Sequence, residues 1–195
     1  IEIIFDGTAT DWTPGADQVL VCKDDGVAQR DMLLFLRGST GRLEFWTSAT
    51  GGSYAGRAAQ ATSALPLVDG SLGYIKVNRA AASGDVNFYT STDRVNWSQL
   101  GTAVSTTAGA IHDGTAGITV GALGDGSKTI AFNGKVNRAT ISGTIGGAAV
   151  IDFDPSRWTS GSTFTASTGE TWTINSTGSK PAQIVDRASL LFDGA

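Results

Sequence analysis

An all-β, two-sheet antiparallel sandwich is the fold this sequence predicts, on three observations. Apolar residues recur at every second position through short segments such as IEIIF, GYIKVNR and DVNFYTS, the period of a half-buried strand. Clusters of Gly, Asp, Asn and Ser separate these segments at short spacing, as the turns of a sandwich require. Good helix formers are scarce: Gly numbers 26, and glutamate occurs only at Glu2, Glu44 and Glu170, whereas β-branched and turn residues abound.

The chain opens directly on a strand, IEIIF, with no initiator Met and no signal peptide. The expectation is a processed product or the ordered part of something longer. QVLVCK is the next strand, and its alternation makes Cys22, the single cysteine, a buried free thiol rather than a nucleophile. One cysteine forms no internal disulfide, so the redox compartment stays open. DMLLFLRG and GRLEFWTS follow as strands, and AGRAAQATSALPL holds at most a helical turn. GYIKVNR and DVNFYTS come next, the latter turning through TDRVN into WSQLG. Val86, Phe88 and Thr90 face one side of this hairpin, with Asn87, Tyr89 and Ser91 on the other. AGITVGA, KTIAFN, KVNRATIS, AVIDFD, TFTAS, TWTIN and SLLFDG complete the strands. Trp172 and Ile174 share a face toward a core, whereas Trp12 and Trp158 sit in loop-like surroundings.

At 195 residues and 20.0 kDa the chain suits one well-cored domain. A formal charge of −4, with Lys and Arg scattered, carries no electrostatic footprint for nucleic acid or an anionic membrane. No apolar run approaches the roughly 18 residues of a membrane span.

The stretch YIKVNRAAASGDVNFYTSTDRVNWSQLGT resembles the central hairpin of laminin-G-like, concanavalin A-like domains, with Arg94 where that family usually has Gly. FNGKVNRATISGTIGGAAVIDFD resembles the family's late strands. STFTASTGETWTIN resembles an extension found in tail proteins of phages that infect actinobacteria. The resemblance implies a jelly-roll sandwich over residues 1–147, with residues 148–195 forming a β-rich extension packed on it. Family first strands often read apolar-apolar-Phe-Asp-Gly, as both ends of this chain do at Asp6 and Asp193. Either both strands lie in one sheet, or SLLFDG starts a further domain.

Related jelly rolls include glycosidases, which set carboxylates at alternate positions of one strand. A retaining pair stands about 5–5.5 Å apart. None of the three glutamates has a second carboxylate in that setting. Asp152 and Asp154 share a strand face at roughly 6–7 Å by strand rise, and they read as a solvated strand end closed by Pro155. His112, the only histidine, has Asp113 beside it on the opposite side of an extended chain, so IHDG reads as a turn. One His and one Cys build no zinc site, and no phosphate-binding glycine pattern is present. The expectation is a non-enzymatic protein with no cofactor except calcium. The family often carries one calcium at a sandwich rim, and Asp11, Asp24, Asp25, Asp113 and Asp125 lie in expected loops, though local turn bonds explain them as well.

Three strands carry an aromatic residue on their polar side. Trp46, Tyr74 and Tyr89, with Lys76, Asn78 and Asn87, are therefore the candidate platform for a glycan or a protein partner. The alternative is burial of these rings under a second layer. The resemblance implies a virion structural protein, a minor tail or host-contacting component of the extracellular particle. Its partners would be other virion proteins, in a homo-oligomer or repeated units, and a host-surface glycan. A capsid decoration protein of the same fold is one alternative; a secreted carbohydrate-binding module or glycosidase is the other.

Overall fold

The computed structural model describes residues 1–124 and 130–175, and the backbone alone at 182–186 and 189–192. In chain order the strands are β1 (Glu2–Ala9), β2 (Gln18–Lys23), β3 (Arg30–Arg37), β4 (Arg42–Gly51) and β5 (Ala58–Gln60). Next come β6 (Leu72–Arg79), β7 (Asp85–Ser91), β8 (Ser98–Gln99), β9 (Val104–Ser105) and β10 (Ile118–Val120). The remainder are β11 (Gly134–Ser142), β12 (Ala149–Phe153), β13 (Thr163–Thr165), β14 (Thr171–Thr173), β15 (Ala182–Asp186) and β16 (Ser189–Phe192). The fold is all-β. A single 3-10 turn at Pro155–Arg157 is the only helical element among the described residues.

Sheet A has nine strands in the order β15-β16-β11-β1-β6-β7-β8, with β12 also on β11 and β9 also on β7. Sheet B runs β10-β2-β3-β4-β5, and β13 pairs β14 as a separate hairpin. Every pairing is antiparallel.

Period two explains what lies between the sheets. Ile3 and Phe5 of β1, Ile75 and Val77 of β6, Val86 and Phe88 of β7, and Ala139 and Ile141 of β11 point inward from sheet A. They meet Leu34, Leu36, Leu43, Phe45 and Ala59 of sheet B in one cluster. Each fully buried Phe, Leu or Ile contributes roughly 1.5–3 kcal/mol through apolar burial. Phe5 meets the ring of Phe132 edge-on at 5.4 Å, and Trp12, fully buried, closes the same end.

Sheet B is buried on both faces. A second cluster of Val19, Cys22, Leu33 and Phe35 lies on its outer side, covered by Trp46, Tyr54, Leu123 and Ile130. This is why QVLVCK and DMLLFLRG read as near-continuous apolar runs. It is also why Cys22 is buried.

The expected strand KTIAFN is not one where it is described. Ile130 takes a left-handed backbone (φ 49°), and residues 130–133 cross as a loop. Its apolar side chains serve two layers: Ile130 covers sheet B from outside, and Phe132 enters the core. Lys128 and Thr129 lie outside the described residues. AGRAAQATSALPL holds β5 and no helical turn, and β9 and β15 are strands that the alternation does not announce.

Both terminal Phe-Asp-Gly strands pair with β11. Gly134–Val136 faces Ala9–Gly7 on one side and Phe192–Leu190 on the other. The last strand thus belongs to the sheet that holds the first. Asp193 lies outside the described residues. After residue 147 the chain also gives β12 to sheet A and Phe164 and Ile174 to the common core. Trp172 and Phe164 pack on Phe153 at 5.0 and 5.6 Å.

The Phe-Asp-Gly sequence of β1 has a local reason. The register with β11 shifts between Asp6 and Gly7, a β-bulge. A Cβ at Gly7 would stand 2.6 Å from the Phe5 ring and 2.9 Å from the Lys135 carbonyl oxygen. Gly7→Ala is therefore expected to destabilise the fold by about 1–3 kcal/mol through overpacking. Gly15→Ala, at a position with open space, should change it by less than about 0.5 kcal/mol. Urea denaturation of both variants checks this, and equal effects would contradict the steric account.

Candidate functional site

The outer face of sheet A is built in rows by strand register. One row runs Asp152, Thr140, Ile4, Lys76, Tyr89, Gln99 across β12, β11, β1, β6, β7 and β8. The row on one side is Arg138, Asp6, Tyr74, Ser91, and that on the other is Ser142, Glu2, Asn78, Asn87. Five of the six expected platform residues, Tyr74, Lys76, Asn78, Asn87 and Tyr89, thus share one surface.

The lysine organises its centre. Lys76 Nζ lies 4.7 Å from the Tyr89 ring centroid and 4.5 Å from that of Trp97, within cation–π range. Gln99 Nε2 donates to Asn87 Oδ1 at 3.0 Å, and Asn87 Nδ2 donates to Asn78 Oδ1 at 3.4 Å. Trp97 and Gln99 were not expected in the platform, although both lie in the return segment WSQLG: Trp97 precedes the first paired residue of β8, where alternation no longer assigns a face. The available signal was its place two residues before Gln99, the partner of Tyr89.

Trp46 is a correction. Its strand, β4, belongs to sheet B, and its ring lies on that sheet's outer side, 5.1 Å from Phe35 and 5.6 Å from Tyr54. Its indole N–H donates to Glu44 Oε2 at 2.8 Å. Glu44, 5% exposed, also accepts from Arg37 Nε and Nη2 and from Gln60. Period two assigns a side chain to one face of its own strand; it does not say which sheet the strand joins.

Beside the aromatic strip the face carries a charged network. Arg138 donates to both oxygens of Asp152, at 2.8 and 3.0 Å, and Ser167 donates to Oδ2 at 2.6 Å. Asp152 is 1% exposed, not the solvated strand end its sequence suggests, because the β13–β14 hairpin covers it. Glu170 accepts the Asp152 N–H and the Trp172 indole N–H donates to the Asp152 carbonyl. These side chains stand in for a missing strand at the sheet edge. Asp154 caps the 3-10 turn by accepting from Ser156 N.

Asp6 is 5% exposed, and its Oδ1 has no hydrogen-bond partner. Arg94 Nε stands 3.0 Å from its Oδ2. Arg94 itself takes a left-handed backbone (φ 63°), the conformation that favours glycine. Its turn is fixed by Ser91 Oγ accepting from Arg94 N and by Asp93 accepting from Val95 N and Asn96 N. Burial pushes the Asp6 carboxyl up to about 6, against the pull of Arg94 and Arg138. At Asp152 burial acts in the same upward sense, but the hydrogen bonds from Arg138 and Ser167 and the Arg138 charge outweigh it, so that carboxyl sits below its usual range. With three hydrogen bonds accepted, Asp152 holds strands together.

His112 pairs across the chain with Asp31, Nδ1 to Oδ1 at 2.6 Å, rather than with Asp113. Asp31 also receives Lys23 Nζ at 2.5 Å and the Gly114 N–H, pinning this loop to β3. The calcium candidates do not converge. Asp11 accepts from Thr13 N, Asp24 from Gly26 N and the Tyr54 hydroxyl, and Asp25 from the N–H groups of residues 27–29. Asp113 pairs with Lys23. Among the described residues no three of His, Cys, Asp or Glu are placed together to hold a metal. Asp125 lies outside the described residues.

No protein-family model matches the chain, and no curated protein is significantly similar to it.

The Asp6 environment has a consequence for stability. Its folded-state pKa, about 6, lies above the ordinary 3.8, so the native state binds this proton more tightly than the unfolded chain does. The charged form costs stability above about pH 6, and that cost fades as pH falls toward 4. Asp6→Asn is expected to exceed wild type in stability at pH 7.5, by at most about 3 kcal/mol, and to lose the advantage near pH 4. Urea unfolding at both pH values decides it; a difference that does not vary with pH would refute the burial argument.

Proposed function

We propose that this protein is a non-enzymatic adhesion module of the laminin-G-like, concanavalin A-like jelly-roll class, carried on a bacteriophage particle as a minor tail or host-contacting component. The resemblance of its central hairpin and its C-terminal segment to such proteins supports the virion placement. One observation carries the binding role: Tyr74, Tyr89 and Trp97 stand with Lys76 and three side-chain amides on the outer face of sheet A. Aromatic rings beside hydrogen-bonding amides are the chemistry that recognises a pyranose, whose apolar face stacks and whose hydroxyls bond. The ligand is a glycan of the host surface, and neighbouring virion proteins or further copies pair through exposed strand edges.

The test is a glycan array and a polysaccharide pull-down with actinobacterial cell-surface material. Replacing Tyr89 and Trp97 together by Ala should weaken binding at least tenfold, about 1.4 kcal/mol, with the fold retained by circular dichroism. Trp46→Ala, on the other sheet, should leave binding unchanged while lowering thermal stability. Loss of binding in the Trp46 variant alone would place the ligand on sheet B instead.

A further inference from the structure

The platform's ligand class can be narrowed from the way this molecule treats its cations. Lys23 is met by Asp31 and Asp113, Arg30 by Asp24, Arg37 by Asp17 and Glu44, Arg94 by Asp6, and Arg138 by Asp152. Arg57 and Arg79, both buried, donate to main-chain carbonyls of residues 107–110. Among the described residues Arg42, Lys135 and Arg157 meet no carboxylate either, but Lys76 differs from them in lying against two aromatic rings. Lys76 lies half-buried at the middle of the outer face of sheet A, beside buried Asn78, and among the described residues no carboxylate comes within ion-pair distance of it.

Its contacts are two aromatic rings, Tyr89 and Trp97. A ring face attracts an ammonium group and fixes its position, but leaves its N–H donors without a lone pair of the strength a carboxylate supplies. The carboxylates on the same face are spoken for or displaced. Asp152 is locked by Arg138, and Asp6 lies against Arg94. Glu2, one row away opposite Asn78, is buried. The bordering groups Asn78, Asn87 and Gln99 are neutral amides joined in a chain, with exposed Gln99 at its open end.

We propose that this face selects an acidic pyranoside, a uronate-bearing polysaccharide, whose ring stacks on the aromatic strip and whose carboxylate pairs with Lys76. The inference rests on the platform reading above and adds the charge of the ligand to it. A chain of net charge −4 repels polyanions in general, so acid preference here requires a local cation rather than bulk attraction. The pairing is partly shielded by the rings, yet salt weakens it because Lys76 is only half-buried.

The experiment uses matched polymers that differ only in charge: polygalacturonate against its methyl ester, and alginate against its propylene glycol ester, by calorimetry at low and high salt. Wild type is expected to bind the acids at least tenfold more tightly than the esters, with the difference shrinking in salt. Lys76→Gln should bring the affinities for acid and ester to within about twofold of each other, and Lys76→Arg should keep most of the preference. Equal affinity of wild type for acid and ester, or a preference that survives Lys76→Gln, overturns the acidic-ligand inference and leaves the platform standing. Absence of binding to all four polymers overturns the platform and the inference together.

Discussion

The parity of β1 is the constraint on which the structure depends. This strand is paired along both edges, with β11 and with β6, so its alternation is imposed on its neighbours. Ile3 and Phe5 enter the core, and Glu2, Ile4 and Asp6 face outward. A slip of one residue would exchange the two sets, moving Glu2 and Asp6 into the apolar core and Ile3 and Phe5 out of it. The apolar cost of that exchange fixes the register, and the register in turn sets the rows of the outer face. Gly7 permits the bulge that ends this regular run without a clash.

The two sheets solve the problem of their outer faces in different ways. Sheet B is covered: Trp46, Tyr54, Leu123 and Ile130 close a second apolar cluster over it, and Glu44 ties Trp46 to Arg37 and Gln60. Aromatic rings there serve packing. Sheet A keeps a polar outer face, with one end cross-linked by carboxylate–guanidinium pairs and the centre left to Lys76, Tyr89 and Trp97. Buried ion pairs add little net stability but hold side chains in one arrangement. The charged end is thus a frame, and the aromatic centre is the part that remains to meet a ligand.

Much of this was legible in the sequence, because period-two burial is a local property. The assignments of Val86, Phe88 and Thr90 against Asn87, Tyr89 and Ser91 follow from alternation alone, and the structure places them so. Cys22 and Ile174 are buried for the same reason. What alternation cannot supply is partnership over long separations. Trp46 reads like Tyr74 and Tyr89 within its own strand, yet β4 joins the other sheet. His112 finds Asp31, 81 residues away, where the eye goes to adjacent Asp113. Asp152 looks solvated until the β13–β14 hairpin is laid over it, and Ile130 and Phe132 look like one strand although they serve two different layers.

The most direct test of the account is the register of β1, read by nuclear Overhauser contacts between backbone protons in solution. The account predicts that Ile4 contacts Lys76 of β6 on one side and Thr140 of β11 on the other. Contacts displaced by one residue on either side would invert the faces, and a β1 paired along a single edge would break the rows across the sheet; either result contradicts it.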